Sequence, residues 1–168
     1  MLLGMLTLFL SGCQPGRYAS RGGLSAAEQA FYAEQSAVLG FRLSGSEDPV
    51  LLWEVTSWMG TPYRFGGSSR QGADCSGFVQ QVYRSVYDYP LPRNAAEMAR
   101  YSRRVGQRRL SDGDMVFFRT KRRKISHVGI YLGQGYFIHV STSRGVMVNH
   151  LDEPYYSRTF AYGGRVKR

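Results

Sequence analysis

A thiol and an imidazole are the side chains from which a protein most readily assembles a nucleophile and its base near neutral pH. The 168-residue chain holds two cysteines, Cys13 and Cys75, and three histidines, His127, His139 and His150. Cys75 lies in Ala73-Asp74-Cys75-Ser76-Gly77, and Phe78, Val79, Val82, Tyr83 and Val86 follow it 3, 4, 7, 8 and 11 residues on. That spacing marks one face of a helix with Cys75 on its first turn. Open backbone N–H groups and the positive end of the helix dipole favour a thiolate there. Cys75 also continues the apolar stripe, as a small core residue would. The polar turn of Asp74, Ser76 and Gly77 is something a core cysteine does not need.

The histidines follow a different period. Along His127–Leu132, Val128, Ile130 and Leu132 point one way and His127, Gly129 and Tyr131 the other. In Tyr136–Val140, Phe137 and His139 share the face opposite Tyr136, Ile138 and Val140. A three-residue turn, Gly133-Gln134-Gly135, would pair Leu132 with Tyr136 and set His139 opposite Gly129. His127 is then diagonal to His139, within reach of two imidazoles, and Gly129 leaves room for His139 to lean toward it. His139 can thereby fix the tautomer and orientation of His127. A thiol, a base and an orienting group are the parts of covalent acyl transfer, which further needs a donor for the developing oxyanion. Tyr63, in the turn upstream of Cys75, is the candidate donor together with the Cys75 N–H. A packing aromatic fits its residue type equally. His150 has no place in this arrangement.

The elements that must position these groups are helices first and strands after. Leu24 to Leu39 is compatible with a helix, and Pro49 to Met59 reads as another with proline in its first turn. Cys75 opens the next, and Asn94 to Tyr101 is a shorter one. Strands are expected at Met115–Phe118, His127–Leu132, Tyr136–Val140, Val146–Asn149 and Phe160–Val166. The class is α+β, with N-terminal helices packed on an antiparallel sheet. The domain is expected to span residues 48–168, with residues 14–47 as a linker containing the possible helix.

Residues 1–10 form an apolar run too short for a bilayer span, and Leu10-Ser11-Gly12-Cys13 follows. The segment resembles a bacterial lipoprotein signal over residues 1–13, although no Lys or Arg precedes the apolar run. The resemblance implies lipidation of Cys13 and a membrane attachment through that lipid. Gln14 then favours the outer membrane, facing the periplasm. Cys75 would be an unpaired thiol in an exported protein, and catalysis gives such a thiol a reason to exist. The net charge of +10 permits polyanionic partners, but its one dense run, Lys121-Arg122-Arg123-Lys124, reads as a solvated loop tip. A nucleic-acid partner is not expected.

Four segments together carry a second resemblance: Gly60-Thr61-Pro62-Tyr63-Arg64-Phe65-Gly66-Gly67, Asp74-Cys75-Ser76-Gly77-Phe78-Val79, Asp112-Gly113-Asp114-Met115-Val116-Phe117-Phe118 and Ser126-His127-Val128-Gly129-Ile130-Tyr131. They resemble the NlpC family of papain-like cell-wall peptidases, over nearly everything from Asp48 on. The resemblance implies a papain-like fold, with Cys75 as nucleophile, His127 as base, His139 as its orienting residue and Tyr63 at the oxyanion. It places Asp74 and Ser76 in the cleft against polar groups of peptidoglycan stem peptides. The implied reaction is hydrolysis of a D-glutamyl-diaminopimelate or D-alanyl-diaminopimelate bond. No metal or cofactor is implied, and a monomer is expected. The same fold could serve another envelope amidase or acyltransferase, or a non-catalytic wall-binding lipoprotein, since a fold does not fix a function.

Overall fold

The computed structural model describes residues 23–120 and 124–166. The apolar N-terminal run, Cys13 and most of the basic run from Lys121 lie outside them. Among the described residues, no helix is long and apolar enough to cross a membrane.

Short polar side chains start the helices, because an N-terminal turn leaves backbone donors without partners. Ser25 and Glu28 form a reciprocal capping box on α1 (Ala26–Leu39). Asp48 accepts from the Val50 and Leu51 amides at α2 (Pro49–Thr56). Asp74 caps α3 (Cys75–Tyr87), and Asn94 caps α4 (Ala95–Tyr101). The second helix ends three residues before the expected Met59. The chain turns into Gly60, at φ 76°, whose N–H bonds the Val146 carbonyl at 3.1 Å instead of extending the helix.

The packed body begins well before Asp48. Leu39, Phe41 and Leu43 are buried in the main core, and Phe41 stacks on Tyr136 at 4.1 Å. Tyr32 donates to the Glu47 carbonyl, and the buried Glu47 carboxylate accepts from the Ser44 and Gly45 amides. Residues from about Ser25 to Glu47, read from sequence as linker, therefore belong to the fold. The sequence signal was weak because α1 buries only Gln35 and Leu39, which leaves no continuous apolar stripe.

Two short strands, β1 (Ser68–Ser69) and β2 (Gly72–Ala73), make a hairpin just before Cys75. The main sheet holds β3 (Arg103–Val105), β4 (Met115–Phe118), β5 (His127–Gly133), β6 (Tyr136–Ser141), β7 (Gly145–His150) and β8 (Phe160–Arg165). They lie in the order β3-β8-β4-β5-β6-β7, with all pairs antiparallel. A one-turn helix, α5 (Pro154–Thr159), connects β7 to β8. The five expected strands are present to within a residue or so. The short elements β1, β2, β3 and α5 were not foreseen.

Both faces of the sheet are covered. On one, Met115, Phe117, Val128, Ile130 and Ile138 join Phe78, Val79 and Val82 of α3 in a single apolar cluster. Full burial of each such side chain stabilises by about 1.5–3 kcal/mol, so this contact fixes α3 on the sheet. On the other face, Val116, Phe118, Phe137, Leu151 and Tyr156 form a smaller cluster, with Tyr156 supplied by α5. The Tyr83 hydroxyl donates to the Gly113 carbonyl at 2.6 Å and ties α3 to the turn before β4.

The β5–β6 connection differs from the expected three-residue turn. Gly133 pairs with Tyr136, so Gln134 and Gly135 alone make the turn, and Leu132 falls in a bulge. Gln134 and Gly135 have φ of 52° and 86°, as a two-residue hairpin turn requires. Beyond the bulge, Tyr131 pairs with Phe137 and Ile130 with Ile138, which is the register expected for the histidines. The bulge absorbs the difference in turn length.

Candidate active site

Cys75 sits on the first turn of α3, partly open to a cleft of about 310 Å³. Its position depends on the capping residue before it. One Asp74 oxygen accepts from the Gly77 amide at 2.7 Å, from Ser76 Oγ at 3.1 Å and from Arg93 Nη1 at 2.9 Å. The other accepts from the Gly66 amide at 3.0 Å and Arg93 Nη2 at 2.9 Å. Arg93 also donates to Ser76 Oγ and to the Gly67 carbonyl. The Gly-rich turn, the helix start and the segment before α4 are thus clamped around one carboxylate. Against the effect of partial burial, Asp74 is held below the usual carboxylate range by these bonds and by the Arg93 charge. Asp74 and Ser76 both line the cleft, and their polar atoms are engaged with the protein itself.

Gly77 makes this closeness possible. A Cβ there would lie 2.1 Å from the Gly67 carbonyl oxygen. The glycine of the Asp-Cys-Ser-Gly segment is a packing requirement between helix and turn.

His127 opens β5 and lines the same cleft. Its Nε2 lies 3.0 Å from His139 Nδ1, with the rings nearly perpendicular at 86°. The two histidines foreseen as neighbours are therefore in direct contact. A Cβ on Gly129 would meet the Ile138 carbonyl at 2.7 Å and His139 Cβ at 3.1 Å, so the missing side chain does leave the room that His139 needs. With Nε2 engaged by His139, Nδ1 is the remaining ring nitrogen of His127.

Burial pushes the Cys75 thiol up, opposed by a backbone hydrogen bond from Val128. Burial, together with the neighbouring His139, pushes His127 down to about 3. The thiolate-favouring effect of the helix start, expected from sequence, is outweighed by desolvation. Burial thus disfavours both the thiolate and the imidazolium.

Tyr63 stands at the cleft rim, 37% exposed, where its backbone forms an isolated bridge with Ala73. The Arg64 amide donates to the Ala73 carbonyl and the Ala73 amide to the Pro62 carbonyl, which hold the tyrosine's turn beside the strand leading to Cys75. Phe65, 89% exposed, also lines the cleft and was not singled out from sequence. Sequence reading also missed the groups behind His139. Its Nε2 lies 2.9 Å from Asn149 Oδ1 and 3.0 Å from the Tyr156 hydroxyl, and Asn149 Nδ2 contacts both Glu153 oxygens. A polar residue in the apolar pattern of β7 was the one available signal.

A larger, more open hollow of about 670 Å³ borders Arg108, Arg109 and His150, but it holds no nucleophile. His150 bonds the Gln134 carbonyl at 3.0 Å and secures the hairpin turn. Among the described residues no group of His, Cys, Asp and Glu could hold a metal ion. The arrangement suits nucleophilic acyl transfer.

Comparison with known proteins places this geometry in context. The chain is 40% identical over 119 residues to the "Probable endopeptidase NlpC homolog" of Haemophilus influenzae, covering 71% of this chain and 63% of that protein. It is 40% identical over 113 residues to the "Murein DD-endopeptidase MepS/Murein LD-carboxypeptidase" of Escherichia coli, covering 67% and 60% respectively. The chain thus spans about three fifths of the length of these relatives. A crystal structure of an NlpC/P60 family protein from Bacillus cereus superposes with a TM-score of 0.65 at 31% identity, over 68% of this chain and 38% of that one. The likeness agrees with a papain-like arrangement of N-terminal helices on an antiparallel sheet. The NlpC/P60 family model matches residues 60–165, which include Tyr63, Cys75, His127 and His139, and the chain belongs to the NlpC/P60 family.

Proposed function

We propose that this chain is a cysteine peptidase that cuts a peptide bond in peptidoglycan stem peptides or their crosslinks. The observation that carries the reading is a thiol on a helix N-terminus sharing one cleft with an imidazole whose far nitrogen is 3.0 Å from a second imidazole. Family membership, and the wall-peptidase name of a relative, support the substrate class.

In this mechanism His127 Nδ1 takes the Cys75 proton as Sγ attacks the scissile carbonyl carbon. The carbonyl oxygen gains negative charge and is held by the Cys75 amide and the Tyr63 hydroxyl. His127 passes its proton to the leaving amine nitrogen, the C–N bond breaks, and a thioester remains on Cys75. Water, deprotonated by His127, then attacks the thioester and releases a carboxylic acid and the free thiol. His139 keeps the His127 ring in plane with this exchange. Asp74 and Ser76 shape the wall of the cleft, and the bond cut is D-glutamyl-diaminopimelate or D-alanyl-diaminopimelate.

The cell-envelope location belongs to the same proposal. The apolar run ending in Leu10-Ser11-Gly12-Cys13 supports lipidation of Cys13 and attachment to the outer membrane on its periplasmic side. The protein acts there as a monomer.

Digestion of purified peptidoglycan and defined muropeptides by the full chain, beside a Cys75→Ala control, tests the reading. Mass spectrometry should reveal fragments absent from the control and so name the bond. Intact muropeptides after exposure to a folded, thiol-reactive protein would reject it in favour of another acyl substrate. In cells, Cys13→Ser should move the protein from the membrane fraction to the soluble one; an unchanged distribution would reject the anchor.

A further inference from the structure

We propose that Asn149 and Glu153 are positioning residues that fix the ring protons of both histidines on Nε2, so that His127 presents a bare Nδ1 to Cys75. The inference rests on the peptidase reading of the site and extends it three residues deeper into the protein.

Glu153 sets the orientation of the Asn149 amide. Its two oxygens lie 3.0 and 2.9 Å from Asn149 Nδ2, and Oε1 also accepts from the His150 amide at 2.8 Å. A carboxylate only accepts, so the Asn149 amide must turn its NH₂ toward Glu153 and its oxygen away. The flipped amide would set oxygen against oxygen. Asn149 Oδ1 therefore faces His139, and an amide oxygen offers no proton. At 2.9 Å from it, His139 Nε2 must carry the hydrogen.

Tyr156 is consistent with the same assignment. Its hydroxyl donates to Asn149 Oδ1 at 3.2 Å, leaving its oxygen lone pairs toward His139 Nε2 at 3.0 Å. Burial and the charge of Glu153 push the Tyr156 phenol up to about 12, so the hydroxyl keeps its proton. His139, Asn149 and Tyr156 are all buried.

A neutral imidazole with its proton on Nε2 has a lone pair on Nδ1. His139 Nδ1 is then an acceptor, and the His127 nitrogen 3.0 Å away must be its donor. His127 thus has its own proton on Nε2 and none on Nδ1. A side chain that does not line the cleft decides which nitrogen of the base is free.

Asn149 matters because the alternative wiring is available. Without its oxygen, the Tyr156 hydroxyl can rotate and donate to His139 Nε2. His139 would then carry its proton on Nδ1 and donate to His127 Nε2, which puts the His127 proton on Nδ1, the nitrogen assigned to take the thiol's proton. The base is lost although every ring stays in place.

The chain has three histidines, so ring-nitrogen NMR of the ¹⁵N-histidine-labelled full protein resolves each tautomer, with His150 as an internal reference. Nε2–H is expected at both His127 and His139 in the native protein and in Tyr156→Phe. Asn149→Leu should convert His127 to Nδ1–H or to a mixture, and lower kcat about ten- to a hundred-fold with KM little changed. Glu153 is only half-buried, so Glu153→Ala is the variant less prone to misfold; it should have the same effect, and Glu153→Gln, which keeps an acceptor for Asn149, should restore most of the rate. Nδ1–H at His127 in the native protein overturns the proposal. So does a folded Asn149→Leu or Glu153→Ala protein with native tautomers and native kcat. If no wall peptide is cleaved at all, the functional reading fails while the ring spectra still decide the placement of the protons.

Discussion

At the level of single side chains, burial acts on Cys75 and His127 toward the same end, because each loses the hydration of its charged form. The thiol is pushed up and the imidazole down to about 3. In the proposed mechanism proton transfer then accompanies attack, with His127 as general base. The pH dependence follows directly. A depressed imidazole pKa means the basic form persists as pH falls. In the folded protein kcat/KM for the proposed peptidase reaction should stay nearly level from pH 7 to pH 5. A histidine titrating at its ordinary value would lose about twenty-five-fold over that range. The measurement is initial rates on a muropeptide with folding monitored at each pH. An acid limb centred near pH 6.5 would show that substrate-free His127 is hydrated and the site more open than its packing implies.

Elements carry these residues only where the backbones can approach. Gly77 is a helical residue, and alanine in a helix interior is favoured over glycine by about 1 kcal/mol. The Cβ of Gly77→Ala would sit 2.1 Å from the Gly67 carbonyl oxygen, a backbone atom that cannot swing aside. Overpacking of this kind costs about 1–3 kcal/mol, so the clash should win. Urea unfolding should show Gly77→Ala destabilised, with activity reduced further because α3 can relieve the clash only by displacing Cys75. Gly106→Ala meets nothing within 4 Å and should be neutral, which makes it the control. Equal stability for the two variants would mean that the turn yields at no cost. The same contrast explains what was legible beforehand. The α3 stripe and the alternation in β4 to β6 were readable because each buries a face at its own period. The contact between His127 and His139 was readable because register follows from alternation. Strand β3, reading Arg-Arg-Val, has no alternation to detect, and β1 and β2 are two residues each. The relay behind His139 depends on where α5 returns Tyr156 and Glu153 to β7, which no local pattern specifies. Family motifs supplied the roles of Tyr63 and Asp74 that residue types alone left open, but not the five hydrogen bonds that occupy Asp74.

For the molecule as a whole, buried neutral histidines couple the site to acid stability. His127 and His139 both titrate below their ordinary value, mainly through burial. A group with a depressed folded-state pKa contributes stability that is complete above its unfolded value and is lost as pH falls toward its folded one. From about pH 6.5 downward the unfolded chain takes up protons at these two rings while the native protein refuses them. Unfolding free energy should therefore fall by up to about 1.4 kcal/mol per pH unit for each neutral ring, or about 2.8 for both. Below about pH 4 the carboxylates of Glu47 and Asp74, also held low, add losses of the same sign. The net charge of +10 grows in acid and contributes a smooth repulsion. The histidine part can be isolated by slope. Urea unfolding between pH 7 and pH 5 should give about half the native pH slope in His127→Asn, whatever that substitution does to stability at pH 7. A native protein equally stable at pH 7 and pH 5 would mean that both rings protonate without unfolding. The activity expected at pH 5 would fall with that result, because it rests on the same burial of His127.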